Sequence, residues 1–238
     1  MCVDFPTAFM GKVIAMPPGP VLGFDQAIGV LRQFRGPRRA SSRAMEHCEL
    51  CSAELHGEHP HLVELASRQL VCACDACAML FDGMERSKYK RVSRNIQFLQ
   101  NFAMTDAQWD SLIIPINLAF FFHSSIEGRM VAFYPSPAGA VESRLTLEAW
   151  NEIVENNPVL QRMQPDVEAL LVNRIGRKDK AVPPEYYIAP MDKCYQLVGL
   201  IRANWKGLSG GAEVWEAIDR LFADLRANAD AVSGGGDA

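Results

Sequence analysis

The chain has 238 residues, a mass of 26.4 kDa and a formal net charge of −4 at pH 7. Hydrophobic residues make up 49% and charged residues 22%, which is typical of globular proteins and excludes a wholly disordered chain. The acidic balance does not indicate binding to nucleic acids or anionic membranes. The longest apolar stretch, residues 112–122, is interrupted by Pro115 and Asn117, so no membrane-spanning helix is expected. With no secretory signal pattern, we expect a cytoplasmic protein.

The first 45 residues form a weakly patterned segment. They contain five prolines and no strong hydrophobic period, which predicts little regular structure. Within them, residues 24–34 carry apolar side chains at helical spacing and predict a short amphipathic helix. The basic, Pro- and Ser-containing residues 35–43 predict a solvated linker, with docking onto an acidic partner as the alternative.

Five of the seven cysteines fall between positions 48 and 77. Cys48 and Cys51 form one Cys-x-x-Cys pair, and Cys74 and Cys77 form a second pair 22 residues further on. Two such pairs can give one metal ion four thiolate ligands in a tetrahedral shell. In a chain without an export signal, this clustering favours metal binding over disulfide formation. We therefore predict that these four cysteines bind one metal ion.

The segment between the two pairs is predicted to fold as a β-hairpin. Residues 62–65 and 69–72 are short apolar-rich strands separated by an Ala-Ser-Arg turn. Residues 76–81 can form a helical turn that places the second cysteine pair at its start. This order is typical of a treble-clef or zinc-ribbon module, which we assign to residues 46–92.

The identity of the metal remains open at this point. Zinc suits a closed four-thiolate shell, and a module of this size needs such a staple to fold. Iron in a rubredoxin-like site uses the same four sulfurs, and an iron–sulfur cluster could also recruit Cys72. Cys72 is otherwise a small core residue, a bystander thiol or a ligand in place of Cys74. A mixed Cys/His shell is a further alternative because four histidines lie in this region: His47, His56, His59 and His61.

The charge of the cysteine module indicates its class of partner. Residues 46–83 contain seven acidic residues and one basic residue, Arg68. Recognition of phosphates needs Lys and Arg side chains, so a nucleic-acid-binding finger is disfavoured. The basic stretch at residues 86–94 is interpreted as a segment that screens the acidic module or forms a solvated face. The acidic module therefore favours docking to a protein.

Residues 93–228 are predicted to form an α+β domain with a mostly antiparallel sheet and C-terminal helices. Thr105 and Gln108 have the spacing of a capping box at the start of a helix. Residues 229–238 are predicted to be a disordered tail. Four strands are predicted, at residues 117–123, 129–134, 167–172 and 186–189. Three further helices are predicted, starting at Thr146, at Asp192 and after Gly211.

The larger domain lacks recognisable catalytic motifs. It contains no phosphate-binding loop, dinucleotide fingerprint, nucleophile elbow or zinc-protease motif, which favours a non-enzymatic protein without excluding an enzyme. Cys194 is predicted to be a buried, inert residue of its helix. The segment after the second strand predicts a rigid, exposed loop that could contact a partner. The candidate partner-binding residues of this loop are Tyr134, Pro135, Ser136, Pro137 and Gly139.

The sequence resembles an uncharacterised bacterial family of cysteine-rich, zinc-ribbon-like proteins. The similarity covers residues 28–228 and includes the two cysteine motifs, the run at 118–122, the Phe-Tyr-Pro-Ser-Pro-Ala-Gly segment at 133–139 and the Leu-Val-Gly-Leu-Ile-Arg segment at 197–202. Members of that family tend to be encoded beside genes for high-affinity uptake [NiFe]-hydrogenases. The resemblance implies an accessory role in hydrogenase assembly, maturation or electron transfer.

Together these features predict a non-enzymatic metal-binding accessory protein. Zn²⁺ is the expected metal, and the expected partner is a protein client such as a hydrogenase subunit or maturation factor. The alternative is a rubredoxin-like or iron–sulfur electron-transfer protein that works with a hydrogenase. Visible absorption distinguishes the two, because a ferric tetrathiolate is coloured and zinc is not.

Overall fold

The computed structural model describes residues 46–82, 84, 87–143, 147–176, 182–207 and 209–234. All of these residues belong to one compact unit. The helix expected at residues 24–34, the basic linker and the proposed Thr146 cap lie outside them. Within the described segments, no helix is both long enough and apolar enough to cross a lipid bilayer.

The cysteine region forms a small antiparallel sheet with one helix. Its elements are β1 (His61–Glu64), β2 (Gln69–Cys72), α1 (Asp75–Asp82) and β3 (Tyr89–Arg91), with β1 between β2 and β3. The predicted hairpin and helical turn are confirmed, whereas β3 was not predicted. The core of this region is small and consists of Cys48, Leu55, Leu62, Ala73 and Ala78.

A seven-stranded sheet forms the larger part of the fold. Its strands are β4 (Gln97–Gln100), β5 (Leu118–Ser124), β6 (Arg129–Ser136), β7 (Gly139–Ser143), β8 (Glu168–Asn173), β9 (Glu185–Pro190) and β10 (Asp230–Ser233). The spatial order is β10-β4-β9-β8-β5-β6-β7. Every neighbouring pair is antiparallel except β10 with β4, which is parallel. The predicted α+β class with a mostly antiparallel sheet is confirmed.

Helices cover both faces of this sheet. The helices are α2 (Asp106–Ser111), α3 (Leu147–Asn156), α4 (Met191–Asn204) and α5 (Ala212–Ala227), with a 3₁₀ helix at Pro158–Arg162. Successive side chains of a strand point to opposite faces, so Phe120 packs with α4 and α5 while Phe121 packs with α2 and α3. A strand buried on both faces explains the continuous apolar run of β5. The capping box of α2 is also confirmed, with Thr105 and Gln108 bonded reciprocally.

The prediction that the C-terminal tail is disordered is wrong for residues 230–233. These residues form β10, in which Ala231 is paired with Phe98 and Val232 with Leu99 of β4. The Gly234 N–H then donates to the Gln100 carbonyl at 2.6 Å. Backbone groups at the edge of a sheet need hydrogen-bond partners, and β10 satisfies them with little hydrophobic patterning of its own.

The exposed loop predicted at residues 134–139 is instead a tight β-hairpin. Strand β6 continues to Ser136 and β7 begins at Gly139, so only two residues form the turn. Pro135 is buried within β6, where its missing N–H is tolerated because the pairing of β6 with β5 ends at Phe133. The Ser136 hydroxyl donates to the Gly139 carbonyl at 2.9 Å and closes the turn.

Arg68 anchors the small sheet to the large one. It lies in the β1–β2 turn with a positive φ of 59°. Its guanidinium forms ion pairs with Glu127 and with Glu142, the latter at 3.2 Å. It also lies over the rings of Phe122 and Phe133, at 5.8 and 5.6 Å from their centroids. The single basic residue of the acidic module is therefore used for internal packing.

Candidate metal centre

The first cysteine pair lies in a tight turn that precedes β1. The Cys48 N–H donates to the Ala53 carbonyl at 2.7 Å, and the Ser52 N–H donates to the Cys48 carbonyl at 2.8 Å. Ser52 has a positive φ of 63°, which reverses the chain after Cys51. These bonds hold both sulfurs on the same side of the turn.

The second cysteine pair lies at the start of α1. The Cys74 carbonyl accepts the Ala78 N–H at 2.9 Å, and the Cys74 sulfur lies 3.5 Å from the Cys77 N–H nitrogen. Cys74 therefore occupies the position of a helix N-cap, with its sulfur directed at the free backbone N–H groups of the first turn.

The fold brings the four predicted ligands to one point. All four sulfurs of Cys48, Cys51, Cys74 and Cys77 lie within 4.8 Å of one another, and the Cys51 and Cys74 sulfurs are 3.7 Å apart. Four sulfurs at about 2.3 Å from a tetrahedral ion are separated by about 3.8 Å along each edge. The cysteine cluster could therefore hold one metal ion.

The pKa values of the cysteine thiols are also consistent with a bound cation. Burial opposes ionisation of Cys48, but backbone N–H groups of Cys74, Leu50 and Cys51 outweigh it and lower the pKa of the Cys48 thiol to about 6. Burial and the neighbouring thiols raise the pKa of Cys77 to about 12. One thiolate forms readily, whereas several thiolates accumulate only when a cation compensates their charge.

Cys72 is not part of this four-sulfur cluster. Its sulfur groups instead with the rings of His59 and His61 on the hairpin. Burial and the carboxylates of Glu49 and Glu46 raise the pKa of the Cys72 thiol. The sequence prediction missed this group, because the predicted strands 62–65 and 69–72 pair Leu62 with Cys72, whereas the observed register pairs His61 with Cys72.

Cys194 is fully buried in α4, as predicted. It belongs to the core between α4 and the large sheet, and burial raises the pKa of its thiol. This thiol therefore stays protonated and packs as a small apolar side chain. Trp205, which directly follows the same helix, is half-buried.

The hairpin predicted to bind a partner lines an apolar groove of about 660 Å³. Tyr134, Pro135 and Pro137 form one part of its wall, while Gly139 lies outside it. Trp205 and Trp215 form another part, with ring centroids 6.3 Å apart and Trp215 41% exposed. A groove with exposed aromatic rings is typical of sites that bind apolar segments.

Comparison with known proteins places the chain in a family. A sequence model of the family of unknown function DUF5947 matches residues 47–229. The chain belongs to this family. The match includes both cysteine pairs, and the prediction of an uncharacterised family is confirmed. No curated protein and no solved structure matches the chain. Because the function of this family is unknown, the match assigns no activity to the chain. The association with hydrogenase genes stays a prediction.

Proposed function

We propose that this protein is a non-enzymatic metal-binding accessory protein whose four-cysteine centre is structural. The observation that carries the proposal is the convergence of four sulfurs within 4.8 Å. Cys48 is 1% exposed, as expected for a closed shell. Among the described residues, the fully buried core of the module has five members of small or medium size, and the residues packed against it are only partly buried, so the module depends on the metal for stability.

The spacing of the sulfurs favours a single ion over an iron–sulfur cluster. Cysteines that bind different irons of a cluster lie further apart, because the irons and bridging sulfides occupy the space between them. A single iron remains the alternative, and the exposure of Cys51 favours it by giving a redox partner access to the centre. In that case the protein is a rubredoxin-like electron carrier.

Elemental analysis and a visible spectrum of the anaerobically purified protein test the metal. We expect about one tightly bound zinc per chain and no visible absorption, because zinc has a filled d shell. One iron per chain with visible absorption would contradict the structural zinc centre and support the electron carrier. A preparation that is stable without any metal would refute both.

The proposed partner is a protein client that places an apolar segment in the groove. Among the groove-lining residues that the structure describes, Asp110 is the only one with a charged side chain, so an apolar segment is the complementary occupant. Helix α1 adds a second exposed apolar surface, with Met79 71% and Leu80 62% exposed. Following the resemblance, we propose a [NiFe]-hydrogenase subunit or maturation factor as the client.

Trp215→Ala tests the groove against purified hydrogenase subunits and maturation factors of the same organism. We expect binding to weaken roughly 10- to 30-fold, as for an aromatic residue at the centre of an interface. The matched control is Ile126→Ala, which removes an exposed apolar side chain outside the groove. Calorimetric titration provides the dissociation constants. Equal affinity of wild type and Trp215→Ala would refute docking in the groove, and no affinity for any of these proteins would refute the client.

A further inference from the structure

The β1–β2 hairpin carries a second group of metal-ligating side chains. The ligand atoms of His59, His61 and Cys72 all lie within 4.8 Å of one another. His61 is paired directly with Cys72 across the antiparallel strands, so both side chains project from one face. The ladder continues with the Ala73 N–H donating to the Pro60 carbonyl, and His59 precedes His61 by two residues. Residues two apart in an extended chain share a face, which brings His59 to the same point.

Both imidazole rings are held by a partner at Nδ1. The Nδ1 of His61 lies 3.0 Å from a carboxylate oxygen of Asp192, and the Nδ1 of His59 lies 3.0 Å from the His56 carbonyl. Histidines that bind metals usually donate the N–H of one ring nitrogen to a carboxylate or carbonyl, which leaves the other nitrogen free for the ion. The hairpin and the first turn of α4 reproduce this arrangement.

The Nε2 atom of His59 lacks a hydrogen-bond partner among the described residues. The His59 side chain is only 7% exposed, and its Nε2 is buried without a hydrogen-bond partner among the described residues. Buried polar atoms without partners are rare in folded proteins because they lose their hydration. A cation between the rings and the Cys72 sulfur would satisfy this nitrogen.

We propose that His59, His61 and Cys72 bind a second divalent transition-metal ion, separate from the four-cysteine centre. Two imidazoles and one thiolate suit Zn²⁺, Co²⁺ and related ions rather than Mg²⁺ or Ca²⁺. Nearby carboxylates favour a cation: Glu46 lies 3.6 Å from the His59 ring, and Glu49 accepts the Cys72 N–H at 2.9 Å. Three protein ligands leave the fourth position of a tetrahedral ion open to water or a ligand from another molecule.

Zinc stoichiometry of the full-length protein tests this second site. After loading with excess Zn²⁺ and desalting, we expect two zinc ions per chain in the wild type and one in His59→Ala and in Cys72→Ala. The matched control, His56→Ala, removes only an exposed imidazole and keeps the backbone carbonyl that contacts the His59 ring, so it should retain two. A wild-type protein with one zinc, or two retained in both site variants, would overturn the proposal.

Two further measurements keep the test decisive if a variant fails to fold. X-ray absorption at the zinc edge of the loaded wild type should show imidazole nitrogen together with sulfur in the first shell. A sulfur-only shell would overturn the second site and leave the four-cysteine centre intact. Asp192→Asn should weaken binding of the second ion by about 10- to 100-fold and leave the first ion in place, because Asp192 positions the His61 ring. Unchanged affinity in that variant would contradict the proposed site, in which Asp192 holds the His61 ring.

Discussion

Replacing Cys48 or Cys77 with serine is expected to release the bound metal and unfold residues 46–82. In small zinc modules, metal binding contributes about 10 kcal/mol or more to folding, which exceeds the stability that their hydrophobic core alone provides. The second ion should be lost as well, because its ligands lie on the same hairpin. Elemental analysis should therefore show little metal, and hydrogen exchange should show rapid exchange in β1 and β2. The strands β5, β8 and β9 should stay protected, since helices cover both of their faces.

Cys194→Ala is the control for this experiment. It removes a buried thiol of α4 that lies in the core and outside both ligand clusters. Metal content should equal that of the wild type, and stability should fall only slightly because one small side chain is truncated. Full metal content in both Cys48→Ser and Cys77→Ser would show that the ligand assignment is wrong. Loss of metal from Cys194→Ala would show that α4 supports the centre.

Asp166→Ala is expected to lower the free energy of unfolding by about 3 kcal/mol. The Asp166 carboxylate is buried, accepts the Ser125 N–H at 2.8 Å and pairs with the Lys90 ammonium of β3 at 2.7 Å. Asp166 also has a positive φ of 70°, which Asp and Asn tolerate better than Ala. Asp166→Asn should therefore lower the free energy of unfolding by only about 1 kcal/mol, since the amide oxygen can still accept the Ser125 N–H. Urea unfolding measures both values, and the exposed Asp219→Ala serves as control.

This contribution of Asp166 should depend on pH in a defined direction. Burial opposes ionisation, but the hydrogen bonds from Lys90 and Ser125 and the charge of Lys90 outweigh it and lower the pKa of Asp166 below its usual 3.8. The native state then holds the proton less tightly than the unfolded state, so the stabilisation is complete above the unfolded pKa and is lost as pH falls through the folded pKa. The difference in stability between wild type and Asp166→Asn should shrink below about pH 4. A difference that stays constant on acidification would contradict this role of the carboxylate.

Much of the fold could be predicted because its signals are local. The apolar run around Phe120, the stripe of α5 and the capping box of Thr105 each specify an element within a few residues. The strands that we missed are short or have mixed patterns. The strand β4 is a four-residue Gln-Phe-Leu-Gln segment, and β10 is formed by backbone pairing with it. Pairing of that kind depends on which edge strand of the folded sheet is still unpaired. A local sequence pattern does not carry this information.

The two ligand clusters also differ in whether a local sequence pattern reveals them. The spacing of Cys48, Cys51, Cys74 and Cys77 is itself the signal, because each Cys-x-x-Cys pair is a local structure. The second cluster depends on the register of a hairpin, which pairs His61 with Cys72. Its supporting contact to Asp192 joins residues 131 positions apart in the chain, and such a contact follows only from the tertiary packing of α4 beside β1.

Helix α4 separates the two surfaces that a client could use. Asp192 lies in its first turn next to His61, whereas Trp205, directly after its last turn, lines the groove. At 1.5 Å per residue these two ends are roughly 20 Å apart. An extended segment advances about 3.3 Å per residue, so a client anchored between Trp205 and Trp215 needs about six further residues to reach the ion at His61. The length of α4 therefore fixes the distance between the anchoring side chain and the ligating side chain in any client that uses both surfaces.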